Sequence, residues 1–374
     1  MLPEAKPLVW KRSYVSQARG FAFGNMTFLL PIAKRLPLAT TLVGLLAAAP
    51  AQAQDVYFSQ AFANRQAANP AWAGLVDDYS ATLSFRDQLP QFAGSFTTTQ
   101  LAADWRLPKP GLHHALGVLV SRDQAGTAGY TRLEASAQYA YHTRLTRELA
   151  LSGGATVGYG RQRVGYGNLT FGDQFAADGT VVGPTAESLS DFPAANYLTL
   201  GVGGVLYAEQ FWLSVSGHHL NQPSLGFQTQ SQLPTRLAVS GGYKLFIHRP
   251  ESHGRVETRE ISFVPTASYT RQGGSQRTEA GLYFLTQPIT LGAVYRNLVG
   301  SYGPGTQHVL AAVAGVAFGD LRVGYSYDVG LSALAQDLGG AHEITLTVRA
   351  FDRVEGAYRR LKRRNYPATP CPVF

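Results

Sequence analysis

Two histidine pairs, His113-His114 and His218-His219, are the first residues of this 374-residue chain whose types suggest chemistry, since imidazole is a common metal ligand. Both pairs fall on segments that read as strands, where adjacent side chains point to opposite faces, so neither pair is expected to chelate one ion. Gly201-Val202-Gly203-Gly204 resembles a phosphate-cradling loop only in glycine content. It lacks the strand–turn–helix context and the GxGxxG spacing of a dinucleotide site. No Gly-x-Ser-x-Gly elbow occurs, and no nucleophile–base pair stands out. Cys371, the single cysteine, cannot form an internal disulfide. The sequence thus predicts no catalytic residue, no cofactor and no metal.

The elements that would position such residues are strands. Tyr79, Ala81, Leu83 and Phe85 interleave with Ser80, Thr82, Ser84 and Arg86, and the same alternation runs through 131–145, 148–162, 235–247 and 321–329. Each such segment has one apolar and one polar face. Several reach ten residues or more, longer than the ~5–6 of soluble strands and close to the ~9–11 of a tilted membrane-spanning strand. The expected fold is all-β, an antiparallel transmembrane β-barrel of about fourteen strands. These are 79–86, 95–107, 113–122, 131–145, 148–162, 196–207, 210–219, 235–247, 259–270, 277–286, 289–298, 307–318, 321–329 and 341–350. Lipid outside and a polar lumen inside would put the apolar face outward, with Trp105, Tyr130, Tyr207, Trp212, Tyr269 and Tyr295 forming interfacial girdles. Both faces of 277–298 look apolar, which leaves its register open. Tight connections at 146–147, 208–209, 287–288 and 319–320 alternate with longer ones, above all 163–195 and 220–234. Short periplasmic turns, long outer loops and an even strand number put both termini in the periplasm.

Ahead of the barrel, Lys34 and Arg35 precede an apolar run at 36–49 that ends in Pro50-Ala51-Gln52-Ala53. This is a charged n-region, an h-region and an A-x-A site, so residues 1–53 are read as an N-terminal extension plus signal peptide, translated from Met26. Gln54 would begin the mature chain. Residues 54–78 form a periplasmic pre-barrel segment, 79–350 the barrel, and 351–374 a basic periplasmic tail. The net charge of +8 resides at the two ends, since the body between 35 and 351 sums to −1. With no basic groove on the body, nucleic acid is excluded as a partner.

Several short segments carry a family resemblance. They are 54–60 (Gln-Asp-Val-Tyr-Phe-Ser-Gln), 69–74 (Asn-Pro-Ala-Trp-Ala-Gly), 86–90 (Arg-Asp-Gln-Leu-Pro), 123–126, 139–142, 169–174, 219–223, 325–332, 340–344 and Cys371-Pro372. In this order, over nearly all of 54–374, the chain resembles the PorP/SprF family of the type IX secretion system and gliding motility. Leu89 stands where Trp is expected, and Val56 where Pro is usual. The resemblance implies an outer-membrane accessory that supports secretion or surface anchoring of client surface proteins by binding rather than catalysis. It also implies periplasmic secretion-ring subunits and an OmpA-like peptidoglycan-binding protein as neighbours, with outer-membrane lipid around the barrel. The alternative from a different class is a diffusion channel or hydrophobic-solute transporter, a role that barrels of this size also serve.

Candidate partner-binding residues are weighed against plainer roles. Asn69, Pro70, Trp72 and Gly74 could form a plug or docking segment at the periplasmic mouth. The preferred reading is a structural cap, with Pro70 and Gly74 setting turns and Trp72 packing into the barrel end. Asp173 and Gln174 in the longest outer loop, and Asn221, Gln222 and Pro223 in another, could meet an exported partner or fold their loops over the barrel. Asp104, Arg106, Glu134, Arg144, Lys244, Arg322, Asp328, Glu343 and Arg349 are expected to face inward and brace the wall. Arg359, Arg360, Arg363 and Arg364 in the tail could make bidentate bonds to carboxylates of a periplasmic partner or of peptidoglycan, or the tail could be a solvated extension that only keeps charge near the membrane.

Overall fold

A computed structural model describes residues 55–350, apart from stretches at 92–93, 95, 108–112, 127–128, 166–169, 177, 187–193, 226–231, 249–251, 254–255, 258–260, 301–305 and 332–338. The signal peptide, the Met26 start and the arginine tail therefore lie outside the described residues.

Alternation of small or β-branched polar residues with apolar ones shapes fourteen strands. They are β1 (Tyr79–Gln88), β2 (Phe96–Arg106), β3 (His114–Ala125), β4 (Tyr130–Arg144), β5 (Ala150–Arg163), β6 (Ala195–Tyr207) and β7 (Phe211–His218). There follow β8 (Arg236–Tyr243, resuming at Leu245–His248), β9 (Ile261–Gln272), β10 (Ser275–Thr286), β11 (Ile289–Val299), β12 (Thr306–Phe318), β13 (Leu321–Gly330) and β14 (Ala341–Ala350). Each strand pairs antiparallel with the next. Tyr79 of β1 stands opposite Ala350 of β14, which closes the sheet into a barrel with no free edge. A small hairpin, Ser252–His253 against Val256–Glu257, lies in the connection after β8.

The faces are those of a barrel in lipid. Leu83, Phe85, Leu101, Val157, Tyr159, Leu198 and Ile344 are exposed outward, while Ser84, Arg86, Gln100, Asp104, Asp328 and Glu343 are buried inside. A soluble sandwich would show the reverse. The tight connections after β4, β6, β10 and β12 share one end of the barrel with the start of β1 and the end of β14. The connections at 164–194 and 219–235 occupy the other. Four connections depart from the length rule: 107–113 and 249–260 are long at the tight-turn end, and 126–129 and Gly273-Gly274 are short at the long-loop end.

The girdle expectation holds in part. Tyr269 and Tyr295 are exposed on the outer face, whereas Tyr207 and Trp212 are buried and face the lumen. The cause is what fills the lumen.

Candidate functional site

Residues 55–78 run inside the barrel. Asp55 stands at the long-loop end, where its carboxylate meets Arg132 at 3.0 Å, His219 at 2.7 Å and Arg236 at 3.1 Å. Its N–H donates to Gln272 Oε1 at 3.0 Å. From there the segment descends to Asp78 at the opposite end, next to the start of β1. A segment expected at one mouth thus spans the lumen as a plug, and the first described residue lies at the end opposite to β1's start.

Two residues below Asp55, the ring of Tyr57 is flanked by three guanidiniums, Arg296 at 4.4 Å, Arg86 at 4.9 Å and Arg277 at 5.0 Å from its centroid. Cation–π attraction and nearby carboxylates offset the desolvation of these charges. Arg86 pairs with Asp328 at 2.8 Å and Glu343 at 3.2 Å, and Arg296 with Asp328 at 3.0 Å and Glu279 at 2.6 Å. The plug joins this lattice through its backbone: the Ser59 and Gln60 N–H groups donate to Glu343 at 2.7 and 3.0 Å. Ser59 Oγ donates to Asp328 at 2.7 Å. The same oxygen accepts from Arg86 Nη1 at 3.1 Å and from Arg296 Nη2 at 3.2 Å.

Next comes a one-turn helix, α1 (Arg65–Ala68), too short to cap its own backbone. The wall caps it instead. Arg236 donates to the Ala67 carbonyl at 2.7 Å, Ser216 to the Ala68 carbonyl at 2.7 Å and Gln138 to the Gln66 carbonyl at 3.1 Å. Arg65 reaches Ser80 and Asp77, and Gln66 donates to Asp104 at 2.9 Å.

Asn69 then fastens the plug to β6 and β7. Its Nδ2 lies 2.9 Å from Ser214 Oγ, 3.0 Å from the Val215 carbonyl and 3.1 Å from the Gly204 carbonyl, and its Oδ1 accepts from the Ala71 N–H at 2.9 Å. That last bond caps the 3₁₀ turn Pro70–Trp72, with Pro70 at a position that needs no N–H. Glycines in the wall let the turn approach: a Cβ at Gly154 would stand 2.5 Å from Ala71 N. Gly74 ends the turn at φ +60, and its carbonyl accepts from Arg106 Nε at 2.9 Å.

On one side this plug forms an apolar core with the wall. Phe62, Trp72 and Leu75 pack with Val205, Tyr207, Trp212, Val264, Tyr283, Val294 and Val313 of the wall. Phe62 meets Tyr283 edge-on at 4.7 Å and Trp212 at 6.1 Å. This explains why both faces of 277–298 read as apolar: the inward Tyr283 and Val294 face the plug rather than water. On the other side a polar cavity of about 90 Å³ remains, lined by groups such as Thr98, Gln100, Ser121, Asp123 and Thr156.

The structure brings Asn69, Pro70, Trp72 and Gly74 together inside the lumen and leaves the loop residues apart from them. Asp173 accepts from Thr185 Oγ1 at 3.0 Å and from the Ala186 N–H at 2.6 Å, bonds that hold its carboxyl below the ordinary aspartate range, the Ala186 N–H most of all. Gln174 donates to the Gly183 carbonyl at 2.9 Å and accepts from the Phe171 N–H at 2.9 Å. These two residues tie the loop to itself. Asn221 finishes the edge of β6: its Oδ1 accepts from the Leu200 N–H at 3.1 Å and its Nδ2 donates to the Leu198 carbonyl at 2.7 Å. The Pro223 carbonyl accepts from the Leu233 N–H, and Gln222, at φ +42, reaches Thr235.

Three expectations need correction. His218 and His219 do not point to opposite faces. β7 ends at His218, and His219 adopts φ +55, so both rings are buried inside, His218 near the Ala68 carbonyl and His219 on Asp55. Arg144 is exposed and donates to the Thr146 and Arg147 carbonyls of its own turn. The inward charges also brace more than the wall, since Asp104, Arg106, Asp328, Glu343 and Arg349 all bind residues of the plug or of its exit. Residues missed in the sequence are Asp55 and Arg132 in one charge cluster, and Tyr57, Arg86, Glu279 and Arg296 in a second. Strand alternation alone would have placed Arg86 and Arg296 inward.

No curated protein matches the chain. Among solved structures, Omp33 of Acinetobacter baumannii is 10% identical with a TM-score of 0.40, covering 74% of this chain and 100% of that one. The P. putida toluene transporter TodX is 10% identical with a TM-score of 0.42, covering 76% and 93%. Residues 51–348 match the family described as Type IX secretion system membrane protein PorP/SprF. The match spans the plug and every strand to within two residues of the end of β14, and the chain belongs to this family of outer-membrane β-barrels of the type IX secretion system.

Proposed function

We propose that this barrel supports the secretion or surface anchoring of particular client proteins by binding them, and that it neither conducts solutes nor catalyses a reaction. One observation carries the reading: the lumen is occupied by the chain's own residues 55–78, bonded to wall strands around the whole circumference. An occupied lumen leaves the rims and loops as the working surfaces. Turn lengths favour the tight-turn end as periplasmic, which would direct the tail with Arg359, Arg360, Arg363 and Arg364 toward secretion-ring subunits and an OmpA-like peptidoglycan-binding protein. The long-loop end would then meet the client. The rival reading as a channel for hydrophobic solutes needs a path that the plug obstructs.

The test is a pull-down from cross-linked outer membranes combined with surface labelling of type IX clients in a strain lacking the chain. The reading predicts a client and periplasmic partners in the pull-down and loss of that client from the surface. Unchanged display of every client, with no partner captured, would refute it.

A further inference from the structure

Cross-strand register lays out the outer face of β2–β6 in rows. One row runs Leu101, Val120, Ala135, Tyr159 and Leu198, and the row beneath it Ala103, Val118, Ala137, Val157 and Leu200. Both are apolar, and most of their large side chains are well exposed, as lipid contact requires. The next row toward the long-loop rim changes character: Thr99, Arg122, Leu133, Arg161 and Asn196. Beyond it, Thr131 stands opposite Arg163 and Gln124 opposite Thr131. The hydrocarbon boundary on this side of the barrel therefore falls at Arg122 and Arg161.

Alternation places all three arginines outward. Ser121 and Asp123 flank Arg122 on the lumen side and line the polar cavity, and Gln162, between Arg161 and Arg163, is buried and bonded to the Leu225 carbonyl. All three arginines are exposed, and none makes a hydrogen bond or ion pair with the described residues. That contrasts with the lumen, where Arg86, Arg132 and Arg296 each meet carboxylates. Arg122 and Arg161 lie two strands apart, about 10 Å at ordinary strand spacing, and Arg163 is about 7 Å further along β5. Guanidiniums at the end of long flexible stems can converge across that span. Cations at the edge of an apolar belt, with no carboxylate partner among the described residues, suit anions fixed at the same depth, which are the phosphates of membrane lipids.

We propose that Arg122, Arg161 and Arg163 form a binding site for a lipid whose headgroup carries two phosphates, with its acyl chains lying along Val120, Tyr159 and Leu198. Two phosphates match three guanidiniums better than one does, because each planar fork can bind phosphate bidentately. Placement in the outer leaflet rests on the orientation given above. The site itself does not, since binding by the purified barrel is independent of its direction in the membrane.

The experiment uses the mature barrel in detergent, delipidated and then offered bisphosphorylated lipid A, monophosphorylated lipid A or phosphatidylethanolamine, with binding read by native mass spectrometry. The expected result is preference for the bisphosphorylated lipid and a drop of about tenfold or more in the triple variant Arg122→Gln, Arg161→Gln, Arg163→Gln. The paired control Arg147→Gln, Lys244→Gln should bind as wild type. If the triple variant does not yield a heat-modifiable barrel, the wild-type preference for two phosphates over one decides. Equal binding by the triple variant, no preference among the lipids, or displacement by low-millimolar inorganic phosphate would each overturn the proposal.

Discussion

Asn69 occupies the space that a side chain on Gly203 would need: a Cβ added to Gly203 would overlap Asn69 Oδ1. The plug and β6 are thus fitted to each other at the point where Asn69 also binds Ser214 and two wall carbonyls. Gly203→Val should therefore expel the 69–74 turn while the barrel, whose ladder needs no side chain there, still closes. A cysteine placed at Ala71, buried in the wild type, should become reactive to a membrane-impermeant maleimide only in the Gly203→Val background. Continued protection would show that the turn is held elsewhere.

Among the described residues, Asp55 is the one carboxylate shared by Arg132, His219 and Arg236. Asp55→Asn would leave two mostly buried guanidiniums short of a counter-charge, and breaking such a pair costs about 3–5 kcal/mol. Arg132 retains Glu134 at 2.9 Å, so the loss should fall toward the low end and be local. Hydrogen exchange should speed up for 55–60 and stay unchanged in β10 and β11. Uniform destabilisation of the barrel would contradict this.

Asp173 gives a pH test of the loop at 164–194. Its carboxylate is stabilised by the Ala186 N–H and the Thr185 hydroxyl, and its folded pKa lies below the ordinary value of about 3.9. A lowered folded pKa contributes stability that is present above the unfolded value and lost as pH falls through the folded one. The Ala186 amide should stay protected at pH 5 and lose protection as the pH falls below ~3.9, whereas Asp173→Asn should weaken it at pH 5 and remove the pH dependence. Deleting 176–190 should leave a heat-modifiable barrel and reduce client display, because the bonds of Asp173 and Gln174 stay within the loop.

The tail is tested by converting Arg359, Arg360, Arg363 and Arg364 to Gln. Barrel assembly should be normal, while co-purification of periplasmic partners falls, most visibly at low salt, where charge pairs are least screened. N-terminal sequencing of the same preparation should find Gln54, or its pyroglutamate, as the first residue. A mature chain retaining 36–49 would contradict the signal assignment.

The wall was legible because its physics is local. Tyr79 to Arg86 alternate in sequence and in space alike, and β1 spans Tyr79–Gln88 as that period predicts. What fills the lumen was not legible, because its partners are remote in sequence. Asn69 binds Gly204, Ser214 and Val215, and Ser59 binds Asp328 and Glu343. A hexapeptide with Pro and Gly reads as a cap wherever its partners are unseen. Trp212 was misplaced for the same reason, since an aromatic near a strand end suits a girdle until Phe62 is known to face it. His219 shows a different limit: strand alternation stops with the strand, and a single left-handed residue turned a second histidine inward.

Planar-bilayer recording of the purified mature protein tests most directly whether residues 55–78 close this barrel. No stable large conductance is expected in the wild type, and open-channel events are expected once residues 55–76 are deleted from a barrel that still closes. A large, stable open pore in the intact wild-type protein would contradict closure by residues 55–78.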